Sequence, residues 1–269
     1  MFEELYAPLP DPAAYLARIG LAGAQTAPTA AWLDRLVHAQ LTHIPFDDLD
    51  VWARGDCPSL GIVDLFEKIV VRRRGGYCFE LNSLFCAFLR ALGYDACPVI
   101  VCIVQDRDCI PPPAHCAVLC TLAGARYFCD VGYGGRVPDG AVKLDCGVHH
   151  GYRVGREGDF FLLERATDAG AERIMLFRDT PALPVELLPL NYHVSQRPDS
   201  VFRRVPMLNL RLPDGSVTVQ GDAFRCHTAA QRIERTIADA DELRALLPRY
   251  FGIPADAPPL RAIEHERAP

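Results

Sequence analysis

Along the first third of the chain, apolar positions recur at helical spacing. Leu33, Leu36, Val37 and Leu41 share one face of a 3.6-residue period that opens after Thr29 and stops at Ile44-Pro45. Upstream, Asp11 and Pro12 supply an N-cap and a proline at the first helical position, and Gly20 closes that segment. Ser59 opens a third helix, Leu60 to Val71. A fourth starts just after Cys78 and carries Leu81, Leu84, Phe85, Phe88, Leu89 and Leu92 before Gly93 ends it. This pattern predicts a helical bundle.

From Ala96 the period changes. Ala96–Val104 reads as a buried strand by its β-branched content and length. His115–Leu122 and Ala125–Val131 flank a two-residue Ala123-Gly124 turn, which predicts a hairpin. Phe160–Glu164 and Arg173–Phe177 are further strand-like pieces. A second hairpin is predicted across Pro213-Asp214-Gly215-Ser216, between Met207–Leu212 and Val217–Gln220. Ala240–Leu247 returns to helix, and a proline-rich end follows. Helices, then strands, then a mixed tail predict an α+β fold of two or three subdomains.

Composition narrows the class. The 269 residues are half hydrophobic and 23% charged, a globular profile with enough chain for a real core. The longest apolar run, Ala96 to Val104, is too short to cross a bilayer, so no membrane partner is expected. The acidic start MFEELYAPLPDPAAY carries neither a basic region nor an apolar one, so no secretory signal is expected. A net charge of -6 argues against a nucleic-acid partner. Arg72-Arg73-Arg74 is the local exception, either a solvated turn or a structural or anion-facing group beside Cys78. Eleven cysteines without such a signal predict reduced thiols in a cytoplasm. Most sit in apolar stretches such as CPVIVCIV and HCAVLC, where Cys packs as a small hydrophobe. No C-x-x-C pair occurs, and no metal site is expected.

The stretch Arg74-Gly75-Gly76-Tyr77-Cys78-Phe79-Glu80-Leu81-Asn82 is the most informative. Two glycines permit a sharp turn and deliver Cys78 to the first turn of an amphipathic helix, where unpaired N–H groups favour a thiolate. Taken alone, that turn suits a buried structural cysteine equally well. The predicted hairpin adds two members. A two-residue loop pairs Leu122 with Ala125, so His115 faces Gly132 and Asp130 is displaced from that partner by two. Displacement by two keeps His115 and Asp130 on one face, roughly 7–8 Å apart at the backbone. Asp130 can then orient His115, and His115 can take the proton of Cys78.

RGGYCFELN, HCAVL and DVGYGG, in that order, resemble the arylamine N-acetyltransferases. So do the earlier HIPFDDLD and the later NYHVSQRPDSVF. The matches run from about residue 40 to 230, with Cys78 and His115 37 residues apart and His115 and Asp130 15 apart. The resemblance implies a helical bundle over 1–93 carrying the nucleophile, a β-barrel over 94–195 carrying His115 and Asp130, and an α/β lid over 196–269. It implies a papain-like triad and ping-pong transfer of acetyl from acetyl-CoA to a small aromatic amine or hydrazine, xenobiotic anilines included. By position, Cys78 is the acylated nucleophile, His115 its base and Asp130 the orienting acid. Arg74 and Glu80 match residues that brace the site. Phe46, Tyr133 and Phe202 match the acceptor pocket, and Gly132, Gly134 and Gly135 the loop beside the cofactor. Two departures bear on the acceptor: Asp47-Asp48 stands where the family often has Glu-Asn, and Tyr133 stands for a phenylalanine. The nearest rival is an amide synthase of the same family, closing a macrolactam from a carrier-protein-bound polyketide. A Cys-His-Asp hydrolase and a catalytically inert binding module are more distant rivals.

Overall fold

The computed structural model describes residues 2–24, 27–145, 147–255, 258 and 260–263. Part of the proline-rich end, and Cys146, therefore lie outside the described residues. Helices come in the expected places. α1 (Pro12–Arg18) is capped by Asp11, whose carboxylate accepts from the amides of Ala13 and Ala14. α2 (Ala30–His43) is capped by Thr29 and buries Leu33, Leu36 and Val37. The sequence reading passed over α3 (Leu49–Arg54), closed by Gly55 in the left-handed region. α4 (Ile62–Phe66) runs on as a wider turn to Val71. It starts two residues later than predicted, because the Ser59 hydroxyl takes the Gly61 amide before the helix begins. α5 (Cys78–Ala91) matches α2 in length, 14 residues each, and buries more of its side chains. α6 (Leu187–Gln196), α7 (Val201–Arg204) and α8 (Ala240–Leu246) follow.

The strands, in chain order, are β1 (Phe46–Asp47), β2 (Asp95–Ile103), β3 (His115–Leu122), β4 (Ala125–Cys129), β5 (Val142–Lys143), β6 (Tyr152–Glu157), β7 (Phe160–Thr167), β8 (Gly170–Phe177), β9 (Met207–Leu212), β10 (Gly215–Gln220), β11 (Ala223–His227) and β12 (Arg232–Thr236). Seven form one antiparallel sheet in the order β5-β4-β3-β2-β8-β7-β6, whose end strands approach each other so that it curls into a nearly closed barrel. The other sheet runs β1-β9-β10-β11-β12. Leu212 pairs with Gly215, so the second hairpin turns on Pro213-Asp214 alone, tighter than predicted.

β3 explains why HCAVLC is apolar without alternation. Cys116, Val118 and Cys120 pack in the core shared with α5, while Ala117 and Leu119 pack inside the barrel with Phe128 and Phe177. A strand buried on both faces needs apolar residues at every position. The pairing Leu122↔Ala125 through Val118↔Cys129 follows the predicted register, but the ladder stops at Cys129. His115 therefore does not face Gly132. It pairs with Val101 on β2, and Asp130 and Val131 leave β4 for the loop instead of extending it.

Candidate active site

Cys78 opens α5, and its position depends on the turn before it. A side chain at Gly75 would come within 2.2 Å of the Pro45 carbonyl oxygen, so the chain passes only as glycine. The Gly75 amide donates to Asp47 Oδ2 at 3.0 Å, and the Gly76 carbonyl accepts from the Asp47 amide at 2.9 Å. The Tyr77 amide donates to Glu80 Oε2 at 3.2 Å, which closes the first turn of the helix. The Tyr77 hydroxyl donates to the buried Asn191 side chain, whose amide nitrogen donates to the Pro58 carbonyl at 2.9 Å. Thus the first residue of NYHVSQRPDSVF serves the nucleophile's turn from more than a hundred residues away.

His115 and Asp130 meet beyond the end of the β3–β4 ladder. His115 Nε2 lies 2.7 Å from Asp130 Oδ2. Cys78, His115 and Asp130 are 3%, 1% and 1% exposed. With Nε2 taken by the carboxylate, Nδ1 is the ring nitrogen left free to serve Cys78. Burial alone would lower the His115 pKa, but the Asp130 charge and the bonds to Asp130 and Cys78 outweigh it, and the imidazole is held well above its usual range.

The sequence reading missed the residue that fixes this pair. Asn82, buried one turn after Cys78 on the same face of α5, donates to Asp130 Oδ1 at 3.0 Å and to the Cys116 carbonyl at 2.7 Å. Its own oxygen accepts from the Val131 amide at 3.1 Å. The Gly132 amide adds a further bond to Asp130 Oδ1 at 2.9 Å. The signal was present in the spacing, since positions i and i+4 share a helix face.

A cleft of about 460 Å³ opens onto the sulfur and imidazole. It gathers Phe46, Tyr133, Phe202 and Gly132, Gly134 and Gly135, all predicted, together with Ile103, Gln105, Ala114, Arg136 and Met207, which were not. Phe202 stands edge-on to Tyr77 at 5.7 Å and 6.2 Å from Phe46, and Tyr133 stands edge-on to His115 at 5.7 Å. The glycines answer to close packing. A side chain at Gly132 would meet Cys78 Cα at 2.8 Å, and one at Gly134, where φ is +72°, would meet the Phe46 ring at 2.7 Å.

Arg74 and Glu80 lie on the other side of the turn, within a partly buried charged cluster. Lys68 Nζ is 2.6 Å from both Glu80 Oε1 and Asp50 Oδ2, and Arg74 pairs with Asp50 at 3.3 Å and Asp47 at 3.6 Å. Of the three arginines, Arg72 and Arg73 are exposed, so the sharper structural role falls to Arg74. Burial pushes Glu80 up to about 7 against the pull of Lys68. At Lys68 burial works downward, yet the carboxylates of Glu80 and Asp50 prevail and hold the ammonium above its usual range.

Among the described residues, no group of three or more His, Cys, Asp or Glu side chains could hold a metal ion, and no helix is long and apolar enough to cross a membrane. A family profile described as N-acetyltransferase matches residues 29–259. The chain is similar to the arylamine N-acetyltransferase of Mycobacterium tuberculosis, 30% identical over 254 residues, covering 90% of this chain and 89% of that one. The arylamine N-acetyltransferase of Escherichia coli is 29% identical, with 90% and 88% covered. Among solved structures, the Mycobacterium marinum arylamine N-acetyltransferase in complex with CoA superposes with a TM-score of 0.79 at 29% identity, covering 90% of this chain and 93% of that one. This chain belongs to the arylamine N-acetyltransferase family.

Proposed function

We propose that Cys78, His115 and Asp130 carry out the family's reaction here, acetyl-CoA-dependent acetylation of a small aromatic amine or hydrazine through a thioester on Cys78. The observation that carries this reading is the buried His115–Asp130 pair beside a sulfur that opens on an apolar-walled cleft. His115 takes the Cys78 proton, and Asp130 stabilises the imidazolium. The sulfur attacks the thioester carbonyl, the C–S bond to CoA breaks, and His115 returns the proton to the departing thiolate. Thioester exchange of this kind is nearly balanced in energy, so little of the barrier is thermodynamic. The amine, neutral at pH 7, then attacks the acetyl-Cys78 carbonyl. His115 removes its proton and delivers it to sulfur as the amide leaves. First-turn N–H groups of α5 have no intrahelical partner and suit the oxyanion of each addition.

Within this reading Phe46, Tyr133 and Phe202 hold the acceptor ring, and the Gly132–Gly135 loop leaves room for the acyl donor. Arg74 and Glu80 brace the nucleophile's turn. The chain divides by task into 1–93, 94–195 and 196–269, the first bearing the nucleophile and the second its base and acid. The described cysteines other than Cys78 are free and mostly buried, which suits a reducing compartment and supports a cytoplasmic setting.

Intact-protein mass after brief incubation with acetyl-CoA tests the reading. One acetyl adduct is expected, absent in Cys78→Ala and discharged by an added aniline. No adduct on a folded, thiol-reactive protein would reject acetyl-CoA as the donor.

A further inference from the structure

One wall of the cleft is polar in a way the triad does not require. The Tyr133 hydroxyl is 2.8 Å from Gln105 Oε1, and Gln105 Nε2 is 2.7 Å from Glu172 Oε1. The other Glu172 oxygen takes the Arg165 guanidinium from the neighbouring strand β7. Backbone bonds fix the same corner, because the amides of Val104 and Gln105 both donate to the Ile174 carbonyl on β8, at 2.9 and 3.2 Å. The chain of partners dictates every direction. Arg165 can only donate, so it holds Glu172 as an acceptor. A carboxylate can only accept, so Gln105 must present its NH2 to Glu172 and its carbonyl to Tyr133. The Tyr133 proton is therefore committed to Gln105.

What remains for the cleft is the lone pair of the Tyr133 oxygen. The Tyr133 ring stands T-shaped to His115, and Tyr133 and Gln105 line the same cleft as Cys78, so this oxygen is the partner the wall offers to a ring substituent of a bound amine. Resting on the acyl-transfer reading above, we propose that Gln105 and Tyr133 form a specificity device that selects aromatic amines bearing a hydrogen-bond donor, a ring hydroxyl, over amines with a methyl there. A hydroxyl donates to the Tyr133 oxygen. A methyl group leaves that oxygen unpaired in a half-buried place.

The test compares 4-aminophenol and 4-methylaniline as acceptors at saturating acetyl-CoA, with Cys78 acetylation followed separately by intact mass. The parent should favour the hydroxyl over the methyl compound in kcat/KM; the two amines have similar basicity, so chemistry alone does not separate them. Loss of one hydrogen bond is about a 3- to 10-fold effect. The hydroxyl-to-methyl ratio should fall by about that factor in Tyr133→Phe and in Gln105→Met. The double variant should be no worse than either single one, since the pair acts as a unit. A ratio within about twofold of the parent in Tyr133→Phe, with Cys78 still acetylated, would overturn the inference while sparing the triad. Failure of the parent to acetylate Cys78 would overturn the acyl-transfer reading, and this inference with it.

Discussion

On one side of the Gly75–Cys78 turn, His115, Asp130 and Asn82 hold one another through hydrogen bonds of 2.7 to 3.0 Å. On the other, Asp47, Asp50 and Glu80 face Lys68 and Arg74, and the pairing is incomplete. Three carboxyls meet two cations, and Arg74 Nη2 and Asp50 Oδ1 lie 3.3 Å apart without the alignment of a hydrogen bond. The first group is buried and the second only partly so, yet both contain groups of displaced proton affinity and both touch the nucleophile's helix. Only the first reaches the cleft. The charged cluster lines a separate cleft, away from the sulfur, so a perturbed pKa is a poor guide to chemistry unless the group also faces the reacting atoms. The charged cluster holds the Gly75-Gly76 turn in place, and the triad uses what the turn presents.

The largest effect separating the two groups is expected at Asp130. In Asp130→Asn the new amide would still satisfy Asn82 and the Gly132 N–H through its oxygen, but its NH2 would face His115 Nε2. The imidazole would then place its proton on Nδ1, toward sulfur, and could not take one from Cys78. Acetyl loading of Cys78 should slow by about 10³- to 10⁴-fold, with thermal stability little changed. A loss under tenfold in rapid-quench mass analysis would remove Asp130 from its role.

The charged cluster should answer in the opposite sense. Lys68→Met leaves Glu80 and Asp50 buried without their shared cation, and unfolding free energy in denaturant should drop by about 3 kcal/mol. The fraction that remains folded should keep most of its activity per active thiol. If Lys68→Met kept full stability and lost activity instead, the division of labour drawn here would be wrong.

The smallest effect lies at Asp48, beside Asp47 but outside the ion pairs. One of its oxygens accepts from the Met207 amide at 2.8 Å and the other has no hydrogen-bond partner. Burial pushes this carboxyl well above its usual range. A raised acid is neutral in the fold while the unfolded chain ionises near pH 4, so its contribution falls as pH rises through that window. Asp48→Asn should be more stable than the parent at pH 8 by about 1 kcal/mol, or about 2–4 °C in Tm, with the gap closing toward pH 4. Equal Tm differences at both pH values would refute the assignment.

Much of this was legible in the sequence, for identifiable reasons. The Ala123-Gly124 turn fixed the β3–β4 register, and parity alone placed His115 and Asp130 on one face. The unpredicted elements carry weak periodic signals. β12 reads RIERT and β6 reads YRVGRE, strands too polar to show an apolar alternation, and α6 contains Pro189 near its start. The Lys68–Glu80 cluster was hidden because its members come from four separate segments. Gln105 was hidden because its importance comes from Glu172, a partner 67 residues away.

Asn82 bridges two layers, its backbone in helix α5 and its bonds on β3 and the loop after β4. Neither layer holds a working triad alone: the helix has a sulfur without a base, and the sheet has a base without a sulfur. A chain whose helices have formed but whose barrel has not yet docked holds Cys78 at a helix start without the imidazole that takes its proton. The chain's reactivity toward acyl donors should therefore arrive late, with the final packing step, and premature acylation of a half-made protein is avoided by architecture without a separate safeguard.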